Sequence, residues 1–159
     1  MKTLSDVFEH TLQDIYYAEQ SLTKAIPKAQ KAARNPELKD ALAAHLGETK
    51  AHVKTLEKVF ATLGQDASGE KCPAIDGLIE ETEGVIDETA SEARDVALIG
   101  CCQAIEHYEI SRYGSLREWA KVLGNSEAHD LLGTILDQEK AANNKLTHLA
   151  VSAVNQGVA

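Results

Sequence analysis

The stretch Leu12-Gln13-Asp14-Ile15-Tyr16-Tyr17-Ala18-Glu19-Gln20-Ser21-Leu22 sets an acid on an apolar stripe. Glu19 follows Ile15 by four and precedes Leu22 by three, so the three side chains share one helix face. The stripe extends back to Phe8 and Leu12 and forward to Ile26 and Ala29, which predicts a helix over about residues 4–33. Thr3 and Asp6 have the spacing of a capping pair, and Pro27 inside the pattern predicts a kink rather than an end.

The pattern recurs downstream. Asn35-Pro36-Glu37 reads as a cap followed by proline at the first helical position, and Leu38, Leu42, Leu56, Val59 and Leu63 carry a second helix over 36–64, stopped by Gly64. Ile99, Cys102, Ile110, Tyr113, Leu116 and Ala120 carry a third over 91–123, stopped by Gly124. Leu132, Ile135, Leu146 and Leu149 carry a fourth over 126–155. The links at Arg34-Asn35-Pro36 and Gly124-Asn125 are short, so each pair of helices forms an antiparallel hairpin. Between the hairpins, residues 74–88 read as a short helix inside a long crossover, which lets the second and third long helices run parallel. The expectation is a single all-α domain over 1–159, a four-helix bundle with a short extra helix in the crossover.

Each stripe is interrupted by polar residues at positions that face the core. Glu19 does so in the first helix, and His45, Glu48 and His52 in the second. In the third, Glu106 follows Cys102 by four and Glu109 precedes Tyr113 by four. In the fourth, Glu139 follows Ile135 by four and Asn143 follows Glu139 by four. Counted from the hairpin turns at about 1.5 Å per residue, Glu19, Glu48, Glu106 and Glu139 all fall near the middle of their helices. Ionised carboxylates crowded into a core repel and lose hydration, so such a layer calls for protons or cations. Two divalent cations answer that need, and carboxylate with imidazole suits iron or manganese. His45 is expected as a core residue or a neighbour of the ligands. Cys101 and Cys102 are expected as small core residues, and Tyr16 and Tyr113 as packing, with a hydroxyl that orients a carboxylate as the alternative. His10, His129 and His148 look like surface residues.

Composition narrows the function classes. Among 159 residues, 43% are hydrophobic and only 4% aromatic, which favours a globular helical chain. A formal net charge of −9 without a basic cluster argues against nucleic acid as a partner. No apolar run approaches a membrane span of roughly 20 residues. The start, Met1-Lys2-Thr3-Leu4-Ser5-Asp6, carries no apolar signal core, and the three cysteines form no disulfide framework, so a cytoplasmic location is expected.

Four segments carry a family resemblance: Leu12 to Glu19, His45 to Val53, Ala104 to Ile110 with Tyr113-Gly114, and Leu136 to Ala141. With these the chain resembles the YciE/YciF group of bacterial ferritin-like proteins. The resemblance implies a ferritin-like bundle, a di-metal centre, a homodimer and a link to bacterial stress responses. Two departures stand out. Glu48 and His52 are four apart where ferritin-like sites place Glu and His three apart, and Asn143 stands where the family leads us to expect an aspartate.

The resulting expectation is a di-iron or di-manganese protein that reacts with peroxide or dioxygen. Glu19 and Glu139 would be terminal ligands, Glu48 and Glu106 bridging ligands and His52 a neutral terminal ligand, with Glu109 or Asn143 completing the second metal. The alternatives are a metal-binding protein without turnover and a structural stress protein with a degenerate site. For the dimer, the first and second helices are the expected interface, because Leu46, Val53 and Phe60 form a second stripe at seven-residue spacing beside the core stripe.

Overall fold

The computed structural model describes residues 1–157. It contains five α-helices: α1 Leu4–Ala32, α2 Pro36–Thr62, α3 Pro73–Glu88, α4 Arg94–Val122 and α5 Ser126–Leu149. No strand occurs among the described residues. The expected stop and start signals work as local chemistry. Thr3 and Asp6 form a reciprocal capping box, each side chain accepting from the other's backbone N–H at 3.1 Å. Asn35 Oδ1 accepts from the Glu37 and Leu38 N–H groups at 2.8 and 3.1 Å, which satisfies donors that the first turn of α2 leaves free. Gly64 and Gly124 take φ of 71° and 77°, the left-handed conformation that ends α2 and α4 at little cost only in glycine. Helix α1 continues through Pro27.

Two boundaries differ from expectation. The third long helix starts at Arg94 instead of 91, because Ser91 to Ala93 form a tight turn closed by the Ala93 N–H on the Ala90 carbonyl at 3.1 Å. At the other end, α5 stops at Leu149 and the chain widens into a π-helical turn, Ala150–Val154, before a short 3-10 turn, Asn155–Gly157.

Helix α1 packs on α2 and α4, and α5 packs on the same two, so α1 and α5 lie diagonally across a four-helix bundle. Contacts at the ends fix the directions. Near the start of α4, the buried Asp95 carboxylate accepts from the Arg34 and Asn35 N–H groups at 2.8 and 2.6 Å, which fastens the α1–α2 turn beside it. At the opposite end, Asn125 Nδ2 donates to Thr62 Oγ1 at 2.7 Å, joining the α4–α5 turn to the end of α2. Helices α2 and α4 therefore run parallel, as the long crossover predicted. Helix α3 rides outside on α1 and α4.

The core is continuous along the bundle, with Phe8, Leu12, Ile15, Leu56, Leu98, Leu116 and Leu132 fully enclosed. Phe60 belongs to it as well, packing edge-on against Tyr16 with ring centroids 5.6 Å apart. That corrects the expected dimer stripe: Phe60 points inward, while Leu46 and Val53 remain half-buried on the flank of α2. Phe60 lies only about 20° around the helix from Val53 at 100° per residue, so its place along the bundle, against Tyr16 of α1, and not its direction sets the two apart.

Candidate metal centre

Halfway along the bundle the core turns polar. Glu19, Thr49, His52, Glu106, Glu109 and Glu139 are all buried there, one or two from each helix of the bundle. Apolar residues one turn away enforce this: Ile15 and Leu22 flank Glu19, and Ile135 precedes Glu139, so the acids cannot turn outward without dragging the stripe with them.

His52 stands between two of the acids. Its Nδ1 lies 2.9 Å from Glu139 Oε1 and 3.3 Å from Glu19 Oε1. Neither carboxylate oxygen lies in line with a ring N–H, so Nδ1 is close to both without a hydrogen bond. The opposite nitrogen, Nε2, sits 2.9 Å from the Gln138 amide oxygen, which can only accept, so Nε2 carries a hydrogen. Tyr113 donates its hydroxyl hydrogen to Glu19 Oε1 across the core from α4. Tyr16 takes no part in the layer, since its hydroxyl donates to Glu57 at 3.3 Å. Toward α2, His45 Nε2 lies 3.3 Å from Glu106 Oε1, and His45 Nδ1 lies 3.6 Å from Glu48 Oε2.

Burial shapes the charges. It pushes the carboxyl of Glu106 up to about 10, with the neighbouring Glu139 carboxylate adding to the effect. Burial likewise raises Glu109 and Glu19. For His52, burial works against the charged form, but Glu139 and Glu19 outweigh it and lift the imidazole to about 10. Burial works against ionisation of Glu139 too, yet His52 and His45 outweigh it and hold that carboxyl below its usual range. Burial thus favours the neutral acid at Glu106 and Glu109, while the flanking Glu139 and Glu19 favour the imidazolium of His52.

Two overlapping donor groups result. His45, Glu106, Glu109 and Glu139 each bring one donor atom within 4.8 Å of the others, and so do Glu19, His52 and Glu139. Glu139 is common to both. Several donors are also orphaned: Glu19 Oε2, Glu106 Oε2, Glu109 Oε2, both Glu139 oxygens and both Nδ1 atoms of His45 and His52 are buried without a hydrogen-bond partner. Buried polar atoms rarely stay unpaired, so this concentration suits cations bound among them. Four buried carboxylates also match the charge of two divalent ions.

Against the expected set, the structure brings together Glu19, His52, Glu106 and Glu139, and adds Glu109 and His45 at close range. Glu48 stands apart: its side chain is 45% exposed and its carboxylate faces His45 from the rim. Asn143 is turned away as well, its Oδ1 accepting from Gln103 Nε2 at 3.2 Å. The sequence carried the signal for both exchanges. At about 100° per residue, Glu48 lies roughly 80° from the mean direction of the buried α2 stripe, while Glu109 lies near the centre of the α4 stripe. Cys102 is a buried core thiol raised to about 12 by burial, and Cys101 is only half-buried.

Comparison with known proteins agrees with the motifs. Residues 3–159 match the family described as a domain of unknown function, DUF892, and the chain belongs to that family. It is 44% identical to protein YciF of Escherichia coli strain K12 over 158 residues, covering 98% of this chain and 95% of that protein. The crystal structure of YciF, described as an E. coli stress protein, superposes with a TM-score of 0.93 at 44% identity, covering 98% of this chain and 99% of the other. YcfI from Rhodopseudomonas palustris, described as a candidate structural protein, gives a TM-score of 0.89 at 47% identity, covering 92% and 94%. No helix among the described residues is long and apolar enough to cross a membrane.

Proposed function

We propose that the polar layer is a di-metal carboxylate centre of the ferritin-like kind, serving a stress response by reaction with peroxide or dioxygen. The carrying observation is the set of orphaned donors on Glu19, Glu106, Glu109 and Glu139, buried at one level of the bundle. Glu19, His52 and Glu139 would hold one ion, and His45, Glu106, Glu109 and Glu139 the other, with Glu139 shared. Iron, or else manganese, would supply the redox couple that turns peroxide or dioxygen over. The chain's own residues prepare for this. Gln138 fixes the ring of His52 so that Nδ1 faces the acids, and Tyr113 orients Glu19. His52 must shed its extra proton before Nδ1 can bind a cation, so loading releases protons.

A second reading has an observation of its own. The His52–Glu139 pair already neutralises part of the layer, which suits a structural stress protein that uses the polar layer to fix helix register. Elemental analysis after reconstitution with iron(II) or manganese(II) tests the first reading. Up to two ions per chain and a melting temperature that rises with metal and falls with chelator are expected. Negligible metal after reconstitution, with no response to chelator, overturns it in favour of the structural reading. Peroxide consumption by the loaded protein then separates turnover from storage.

A further inference from the structure

Two pockets approach the carboxylate layer, and His45 and Glu106 line both. The first, about 40 Å³, lies under α3 among Leu22, Ile26, Ile79, Ile86 and Ile105, with the Lys28–Glu83 ion pair on its wall. The second, about 130 Å³, opens between α2 and α5. Small residues keep that gap open: Ala41 and Ala44 on one helix face Ala141 and Ala142 on the other. Its polar lining is Glu48, His45, Glu106 and Lys145.

We propose that the pocket between α2 and α5 is the inlet for divalent cations, which pass from Glu48 to His45 to Glu106. The proposal rests on the metal-centre reading above. Side-chain exposure falls along the series from 45% at Glu48 through 11% at His45 to 3% at Glu106. The steps between them are 3.6 and 3.3 Å. A cation cannot cross an apolar wall bare, because its lost hydration must be replaced at each step. Here a carboxylate, an imidazole and a second carboxylate follow one another from solvent to core. The pocket has room for several waters at about 10–15 Å³ each, so a cation can keep part of its hydration until it reaches Glu106. The inner end is ready to receive it, since Glu106 Oε2 is buried in the pocket wall without a partner. The smaller pocket offers an ion mostly hydrocarbon. Lys145 is the one cationic residue lining the larger pocket and acts as a brake on traffic.

The test follows manganese(II) uptake by the metal-free full chain, reading the loss of the free-ion electron paramagnetic resonance signal against time and the final stoichiometry. Glu48→Gln removes the outer charge without changing shape and is expected to slow uptake about tenfold or more, with the final manganese content unchanged. Lys145→Gln is expected to quicken uptake. Ala142→Leu, which plugs the pocket, is expected to slow it, while Lys28→Ala at the other pocket leaves it alone. If Ala142→Leu loses its helical spectrum, the two charge variants decide the matter. Uptake by Glu48→Gln at the wild-type rate overturns the inlet, and so does a rate set by Lys28. A lowered final content in Glu48→Gln also overturns it, because Glu48 would then be a ligand. If the wild type takes up no manganese, the metal-centre reading falls and the inlet with it. If only the rates fail to respond, the inlet alone falls.

Discussion

The two halves of the carboxylate layer are built on opposite terms. The half made by Glu19, His52, Tyr113 and Glu139 is sealed, and it balances its own charge through the imidazolium of His52. The half made by Glu106, Glu109 and His45 is vented by two pockets, and burial pushes its two acids toward the protonated form. One half answers desolvation with a partner, the other with a proton. The difference teaches where a cation gains most: it replaces protons in the vented half, and it must displace the proton of a standing ion pair in the sealed half.

The largest expected effect is therefore on pH dependence. His52 in the folded protein titrates at about 10 against an ordinary 6.5, and Glu106 at about 10 against 4.5. Both folded groups bind protons more tightly than the unfolded chain does. Their contribution is complete below the unfolded values and is lost as pH rises toward about 10. Metal-free protein should lose stability from pH 5 upward, on the order of 1.4 kcal/mol per pH unit for each such proton, and more steeply above about pH 6.5, where His52 joins. Glu139, held below its usual range, acts the other way and matters only at the acid end. Urea unfolding at a series of pH values in chelator checks this. A curve flat between pH 6 and 9 would remove the contrast between the halves. Added manganese should flatten a falling curve, because the ions take the place of the protons.

Next in size is the loss of the sealed pair. His52→Ala leaves Glu139 and Glu19 enclosed without their counter-charge, and breaking a buried pair in this way costs about 3–5 kcal/mol. His45→Ala in the vented half should cost far less, because pocket water can reach Glu106 in its place. Equal losses in the two variants, by urea unfolding at pH 7, would show that the halves are equally closed. Tyr113→Phe should fall between them. It removes one hydrogen bond to a buried carboxylate, at a cost of about 1.5–3 kcal/mol.

Most of the fold could be read from the chain because its signals are local. The capping box at Thr3, the Asn35-Pro36 start and the two glycine stops each act within one turn of helix. The parallel run of α2 and α4 followed from link lengths alone. The polar layer was legible at the level of helix height, which set Glu19, Glu48, Glu106 and Glu139 near one plane, with His52 one turn from Glu48. What height alone did not resolve was azimuth. Glu48 and His52 are one turn apart, yet Glu48 lies further from the mean direction of the buried α2 stripe, so His52 reaches the core while Glu48 stays at its rim. Asn143 illustrates the same limit, since its partner Gln103 lies on another helix. Gln138 carries no signal of its own, because it lies beside the stripe and acts only through His52.

The smallest expected effect is the most pointed check on azimuth. Glu48→Ala should change the stability of the metal-free protein by only a few tenths of a kcal/mol, as substitutions at exposed positions do. Its side chain is 45% exposed and its carboxylate lies 3.6 Å from His45 Nδ1, so solvent at the rim screens the pair. Position 48 is also in mid-helix, where alanine is the best helix former, so a small loss of charge contact is offset by propensity. A ligand buried among the acids would behave differently: its removal would open a cavity in the layer and shift the stability of the metal-free fold well beyond that range. The comparison to make is therefore Glu48→Ala against Glu109→Ala, by urea unfolding in chelator at pH 7. Glu109 is fully enclosed, so its removal opens a cavity and should shift stability by more than 1 kcal/mol. If Glu48→Ala shifts stability as much as Glu109→Ala, then Glu48 lies in the layer rather than at its mouth, and the vented half is as closed as the sealed one.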